Sequence, residues 1–155
     1  CYNAFISRWL DADYYNLGFS GSARGEIAMA DYINTIDMSV FVFDYDHNAP
    51  TVEHLQRTHE PFFRRIRERH PLLPVVMLSR PGFDFDPDAA QRRSVVRATY
   101  EHALAAGDKN VYFIDGQTLF GDDDRAACTN DCTHPNDLGM YRMAKVIAPV
   151  IEGVL

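Results

Sequence analysis

The sequence predicts an α/β fold, a flavodoxin-like three-layer α/β/α arrangement with a parallel sheet. Segments with strand character alternate with segments of helical periodicity along the 155 residues, as they do in consecutive β-α units. The strand segments are apolar throughout, and such strands are typical of a sheet that helices cover on both faces. The chain has the length of one domain, so we expect residues 1–155 to fold as a single domain.

The first elements in chain order are a helix, a short strand and a second helix. Apolar residues at positions 5, 6, 9 and 10 predict a packed helix over residues 2–10. The segment DYYNL at 13–17 is expected to be a short strand, and the glycine turn GFSGS at 18–22 follows it. A helix over 26–36 is predicted from the spacing of its apolar residues, Ile27, Ala30, Ile33 and Ile36.

Three more strands, each followed by a helix, complete the pattern. The predicted strands are the apolar runs MSVFVF at 38–43, PVVMLS at 74–79 and NVYFI at 110–114. Thr51 is a suitable N-cap for the helix after the first of these strands, which we expect to end near residue 69. Gly107 is expected to end the next helix, over 88–106, and the last helix is predicted over 136–151.

Charge and hydropathy exclude two classes of partner. The net charge of −7 and the pI of about 5.2 argue against binding to a phosphate backbone, so we expect no nucleic-acid partner. The most basic run, FFRRIRERH at 62–70, is typical of the solvated face of an amphipathic helix. No apolar run approaches the roughly 20 residues that a membrane span needs. The sequence leaves the oligomeric state open.

The beginning of the chain and its cysteines bear on processing. The chain starts with Cys1 rather than Met, and the packed helix predicted next does not resemble a lipoprotein tether, so we expect a truncated N-terminus rather than a lipidated one. Cys128 and Cys132 are close enough in sequence to form a disulfide, and two free thiols are an equally good interpretation. Localisation stays open, and secretion or export to the periplasm would favour the disulfide.

Polar clusters follow the predicted strands. They lie at 20–22, 44–48, Arg80 and 131–134. The carboxyl ends of parallel strands meet at one edge of a sheet, which is where ligands of open α/β folds bind. We therefore expect these clusters to surround one site.

The run DCTHPNDLG at 131–139 has the pattern of a prepared base. Asp131 precedes His134 by three residues, close enough to fix the tautomer of the imidazole and stabilise its charged form. If Pro135 is the first residue of the last helix, the helix dipole disfavours the imidazolium and Asp131 must offset that effect. Taken alone, an Asp-x-x-His pair is more often a surface contact.

Two other loops offer hydrogen-bond donors to an anionic oxygen. The turn at 18–21 has backbone N–H groups at a tight turn. Asn48, in the run DYDHNAP, has a side-chain amide. Taken separately, the glycines merely permit a turn and a loop asparagine usually forms an Asx turn.

Together, the three loops resemble a known family. The segments NLGFSGSARGE (16–26), FVFDYDHNAP (41–50) and DCTHPNDLGMYRMA (131–144) are similar to the second, third and fifth blocks of the SGNH, or GDSL-type, esterases and lipases. The resemblance implies a serine hydrolase of a small-molecule ester, with a small acyl group or a carbohydrate ester favoured, and needs neither metal nor cofactor. It implies His134 as the base, Asp131 as its orienting acid, and Gly21 and Asn48 as oxyanion donors.

The nucleophile of that family is a serine in a first block, which this chain lacks. Residues 2–10 resemble the helix that follows the block, so the resemblance implies that the serine and the first, central strand lie upstream of Cys1. We then expect the fragment to be inactive and poorly stable, or to close the gap by pairing the strands at 13–17 and 38–43. Ser20 and Ser22 are the alternative nucleophiles within the chain.

Two further interpretations stay open. One is a catalytically inactive module of the same fold that binds a carbohydrate or an acyl chain near Tyr45, His47 and Phe83. The other is a metal site formed by Asp131, His134 and the acidic run at 122–124.

Overall fold

A computed structural model describes residues 1–82, 84 and 86–155 of the chain. Within these residues, the helices are α1 (Tyr2–Leu10), α2 (Ile27–Ile33), α3 (Val52–Arg69), α4 (Ala89–Ala105) and α5 (Asp137–Glu152). The strands are β1 (Phe41–Phe43), β2 (Val75–Leu78) and β3 (Val111–Ile114). Short 3₁₀ turns lie at Phe19–Gly21, Asp46–Asn48, Gly116–Thr118 and Arg125–Cys128.

The strands form one parallel sheet in the order β1-β2-β3. Phe41 pairs with Val75 between the first two strands, and Val75 pairs with Val111 between the last two. All four residues of β2 are buried, as expected of the middle strand of a covered sheet. β1 is hydrogen-bonded along one side only, so it forms an edge of the described sheet.

Helices cover both faces of the sheet, which confirms the predicted three-layer α/β/α class. Val75 and Met77 belong to a core with residues of α2, α3 and α4. Val76 and Leu78 belong to a second core with residues of α1 and α5. This division follows from the strand period of two, because successive side chains of β2 point to opposite faces.

The predicted helix ends agree with the structure at two residues. Thr51 Oγ1 accepts the backbone N–H of His54 at 3.1 Å and so caps α3. Gly107, with φ of +88°, ends α4 in the left-handed conformation that glycine adopts without steric cost.

The predicted strand at 13–17 is wrong. These residues have no regular structure, and four of the five are exposed. Asn16 Oδ1 accepts the backbone N–H of Gly18 at 3.1 Å, and such an Asx turn competes with strand pairing. The predicted closure of the sheet by pairing 13–17 with β1 is therefore not formed.

The last helix begins later than Pro135. Asn136 is its N-cap, because Asn136 Oδ1 accepts the backbone N–H of Gly139 at 3.1 Å. Pro135 lies before the cap, so the condition under which it opens the helix does not hold.

None of the described helices combines the length and the apolar character that crossing a bilayer requires.

Candidate active site

The polar loops at the carboxyl edge of the sheet contain three of the four predicted site residues. One follows β1 and includes Asn48, and a longer one runs from β3 to α5 and includes Asp131 and His134. Gly21 lies in the turn that precedes α2.

Backbone hydrogen bonds fix the shape of the loop that contains His134. The N–H of Asn130 donates to the carbonyl of His134 at 3.2 Å, and the N–H of Asn136 donates to the carbonyl of Cys128 at 3.0 Å. A Cβ atom at Gly139 would lie 2.2 Å from that same carbonyl oxygen, so only glycine lets α5 approach the loop this closely. The start of α5 therefore positions the histidine.

Asp131 holds His134 by both carboxylate oxygens. Oδ2 lies 2.6 Å from His134 Nδ1, and Oδ1 accepts the backbone N–H of His134 at 2.7 Å and that of Thr133 at 3.0 Å. The backbone N–H of His134, followed by its ring, lowers the pKa of Asp131 to about 2. An ionised carboxylate only accepts hydrogen bonds, so in the neutral ring Nδ1 carries the proton and Nε2 has a free lone pair.

The ring of His134 is open to solvent and to any reactant. The side chains of His134 and Asp131 are 76% and 52% exposed. The predicted pair is therefore in contact, and its accepting nitrogen is accessible.

A buried carboxylate anchors the loop after β1. Asp46 is 1% exposed, and its Oδ2 accepts the backbone N–H of Arg80 at 2.9 Å. Arg92 Nη1 donates to the carbonyls of Asp46 and Ala49 at 2.7 and 3.0 Å. Burial raises the pKa of Asp46 to about 7, the charge of Asp44 adds to the rise, and the N–H of Arg80 opposes it. These contacts fix the turn Asp46–Asn48.

Asn48 is half-buried and lines a cavity at the edge of β1. Its backbone N–H donates to the carbonyl of Tyr45 at 2.8 Å. Its side chain makes no hydrogen bond to any described residue, so in this part of the chain it does not form the Asx turn that was the alternative interpretation. The amide is available as a donor.

Gly21 lies in an exposed, strained turn. Phe19 and Ser20 have φ values of 49° and 47°, in the left-handed region that disfavours residues with a side chain. Gly21 itself has a φ of +85°, and no described atom lies within 4 Å of a Cβ built on it. Its N–H lies in the 3₁₀ turn Phe19–Gly21 at the protein surface, and it makes no well-aligned hydrogen bond to an acceptor among the described residues.

A cavity of about 750 Å³ runs along the unpaired side of β1. Asn48 and His47 line it, and so do Gly18, three residues before Gly21, and Pro135, next to His134. Gly21, Asp131 and His134 do not line it. Among the predicted site residues, the structure thus brings Asp131 onto His134 and places Asn48 at the cavity.

The sequence placed His47 and Arg80 among the polar clusters expected around one site, but it did not predict the contacts by which they connect the two loops. The ring centroids of His47 and His134 are 6.3 Å apart. His47 Nε2 lies 3.4 Å from Arg80 Nη2, and Arg80 is ion-paired with Asp86. His47 stands beside Asn48 in the sequence, which was the available signal, but the partners Arg80 and Asp86 are remote in the chain.

The structure also bears on the predicted metal site, the predicted ligand-binding residues and the disulfide. No group of three metal-binding side chains exists among residues 1–82, 84 and 86–155, so the run at 122–124 does not join Asp131 and His134 in a metal site there. Phe83, predicted to help hold a ligand, lies outside the described residues. Cys128 is buried, Cys132 is exposed, and both are free thiols rather than a disulfide.

Comparison with family models shows the family of this chain. The sequence model of the GDSL-like Lipase/Acylhydrolase family matches residues 1–152. No curated protein matches the sequence. A candidate GDSL-like lipase from Bacteroides ovatus ATCC 8483 is 29% identical, with a TM-score of 0.84 over 99% of this chain and 47% of that one.

Two further solved structures share the fold. The salicylyl-acyltransferase SsfX3 of a tetracycline biosynthetic pathway is 24% identical, with a TM-score of 0.82 over 99% of this chain and 49% of that one. An active-site mutant of a family two carbohydrate esterase from Clostridium thermocellum is 19% identical, with a TM-score of 0.72 over 99% and 54%. The chain thus spans about half the length of the solved structures that it matches.

Proposed function

Because the chain belongs to the GDSL-like lipase/acylhydrolase family, we propose that it carries the base, the orienting acid and the oxyanion donors of a serine ester hydrolase. The observation that carries the proposal is the contact of 2.6 Å between His134 Nδ1 and Asp131 Oδ2. A serine hydroxyl needs a neutral, accessible ring nitrogen as its base. Nε2 of His134 is that nitrogen when Nδ1 donates to Asp131.

The proposed cycle moves one proton between oxygen atoms. His134 Nε2 takes the hydroxyl proton while the serine oxygen bonds to the ester carbonyl carbon, and the ring returns the proton to the leaving alcohol as its C–O bond breaks. Water then attacks the acyl-enzyme with the same base, which releases the carboxylic acid and restores the serine. Asp131 stabilises the imidazolium at both stages.

Gly21 and Asn48 are proposed as donors to the tetrahedral oxyanion. The N–H of Gly21, which makes no well-aligned hydrogen bond within the described residues, and the unbonded amide of Asn48 support these roles, because an oxyanion hole needs donors that no protein acceptor occupies. The buried contacts of Asp46 with Arg80 and Arg92 hold the turn before Asn48 in place. A donor fixed in this way needs little reorganisation when charge develops.

We propose that the serine nucleophile lies in a segment outside these 155 residues. The cavity beside β1 supports this, because it lies between the two cores: Phe43 and Ile33 border it from one, Ile6 and Met143 from the other. An added apolar strand parallel to β1 would fill it and end near Asn48. Within the chain, Ser79 is 1% exposed and its hydroxyl accepts the N–H of Gly116 at 2.7 Å, which does not suit a nucleophile.

The substrate we propose is an ester of a small acyl group, with a carbohydrate as one class of alcohol. A strand that fills the cavity would occupy the apolar space beside Asn48 that a fatty acyl chain would need. The exposure of His134 leaves room for a large polar alcohol.

Hydrolysis of p-nitrophenyl acetate and of longer acyl esters tests the proposal in a protein that includes the upstream segment. We expect faster hydrolysis of the acetate and inactivation by a serine-directed phosphonate. Mass spectrometry of the labelled protein should find the phosphonate on an upstream serine, and the 155-residue chain alone should be inactive.

Other outcomes would contradict either the upstream nucleophile or the enzyme interpretation. A label on Ser20 or Ser22, or activity of the 155-residue chain, would contradict the upstream nucleophile. If the protein neither hydrolyses the esters nor takes the label, but binds a sugar or acyl ligand, the enzyme interpretation would be wrong. The inactive binding module would then be the better interpretation.

A further inference from the structure

His47 lies between a fixed cation and the proposed base. Its ring centroid is 6.3 Å from that of His134, and its Nε2 is 3.4 Å from Nη2 of Arg80. The two imidazole rings are tilted by 31° to each other. Two imidazolium ions at this separation would repel each other, so protonation of one ring disfavours protonation of the other.

Arg80 determines which nitrogen of His47 can carry a proton. A guanidinium has only donors, so a hydrogen bond from Arg80 Nη2 requires Nε2 of His47 to be the acceptor. The neutral ring then carries its proton on Nδ1. The side chain of Arg80 is 11% exposed and ion-paired with Asp86, so it stays close to His47.

The surroundings of His47 add to this preference. Burial lowers the pKa of His47 to about 4, the positive charges of Arg80, His134 and Arg92 contribute in that order, and only Asp86 among the neighbouring charged groups raises it. His134, in contrast, has the carboxylate of Asp131 on its Nδ1.

We propose that Arg80 holds His47 as a neutral imidazole protonated on Nδ1, so that of the two neighbouring rings only His134 gains and loses a proton in the proposed cycle. Arg80 is thus a positioning residue that acts through His47. In terms of the proposed function, on which this consequence rests, a neutral His47 spares the imidazolium that forms at His134 from a second positive charge. Without Arg80, His47 could also take up a proton. Both rings would then have to be neutral for His134 to act as the base, and activity would fall as the pH decreases.

The proton positions can be measured on the 155-residue chain by ¹⁵N NMR of labelled histidines, without any activity. From about pH 8 to about pH 5 we expect His47 to show a protonated Nδ1 and an unprotonated Nε2. In R80M the midpoint of His47 should rise by about one pH unit or more, and R80K, which keeps the charge, should fall between R80M and the wild type. R64M is the matched control, because Arg64 is 70% exposed and pairs with Glu60.

The wild-type spectrum is decisive even if R80M does not fold. A proton on Nε2 of neutral His47, or a midpoint above about 6, overturns the proposal. So does an unchanged His47 midpoint in a folded R80M protein. In a protein that includes the upstream serine, kcat falls as the pH decreases. We expect uptake of one proton to control this fall in the wild type and uptake of two protons to control it in R80M. A protein without any esterase activity would contradict the proposed function, while the NMR result would still decide the role of Arg80.

Discussion

His134 and Asp131 contact each other twice: Nδ1 of the ring lies 2.6 Å from Oδ2, and the backbone N–H of the same histidine donates to Oδ1 at 2.7 Å. One carboxylate therefore fixes both the backbone and the ring of the proposed base. Because the aspartate also accepts the N–H of Thr133, it holds the whole turn and acts on more than the charge of the imidazole.

Replacing Asp131 by Asn should separate the charge from the geometry. Asn can still accept the backbone N–H groups, but it cannot stabilise the imidazolium, so we expect kcat to fall by about 10²- to 10⁴-fold with a smaller change in KM. Ester hydrolysis by the protein with its upstream segment measures this. D122N, a change of the same kind on the same long loop, is the control and should keep its activity. Equal activity of D131N and the wild type would show that Asp131 is a structural residue only.

Replacing Asn48 by Ala removes one proposed oxyanion donor. We expect kcat to fall by about 10²- to 10³-fold while KM changes little, because the donor acts on charge that develops in the transition state. Asn3 also lines the cavity, so N3A is a matched loss of an amide and should leave kcat near the wild-type value. A fall in N48A that appears only in KM would assign Asn48 to substrate binding instead.

Loss of the cap of α5 should affect both stability and catalysis. Asn136 accepts the N–H of Gly139 and donates to the carbonyl of Ala127 at 2.8 Å, so N136A loosens the loop that holds His134. We expect its free energy of unfolding to fall by about 1 kcal/mol, measured by urea denaturation. T51A, which removes the cap of α3, should cost a similar amount of stability without the loss of activity expected of N136A. Equal activity of the two variants would show that the cap does not position the base.

His59 should make the stability of the fold depend on pH. It is 1% exposed, its ring centroid lies 4.4 Å from that of Phe43, and its Nδ1 is 2.8 Å from Thr99 Oγ1. Burial lowers its pKa to about 3, so the neutral ring stabilises the fold fully above the unfolded value of about 6.5. Below that pH the unfolded state takes up a proton that the folded state does not, and the stabilisation decreases by up to about 1.4 kcal/mol per pH unit.

Urea unfolding of the wild type and of H59Q measures this contribution. The difference in unfolding free energy between the two proteins should be constant between about pH 7.5 and 8.5 and should shrink as pH falls from about 6.5. The comparison with H59Q removes the contributions of the other titrating groups, Asp46 among them. A difference that does not change with pH would show that His59 titrates alike in both states.

Local sequence patterns were sufficient for most of the fold. Helical periodicity and the caps at Thr51 and Gly107 predicted α3 and α4, and the apolar runs predicted the three strands, because these features act within a few residues of the chain. The strand prediction at 13–17 is wrong because two adjacent tyrosines favour a strand only where a neighbouring strand is present to hydrogen-bond to its backbone. Asn16 satisfies Gly18 locally instead.

The pair of Asp131 and His134 is the part of the site that the sequence determined by itself. Only two residues lie between them, so the contact closes within one tight turn. Only the tertiary structure decided that His47 faces His134, that Arg80 comes from 33 residues away to bond to it, and that a cavity runs along the unpaired side of β1. These features depend on which strands are neighbours, and a linear sequence does not specify the distances between residues that only the packed sheet brings together.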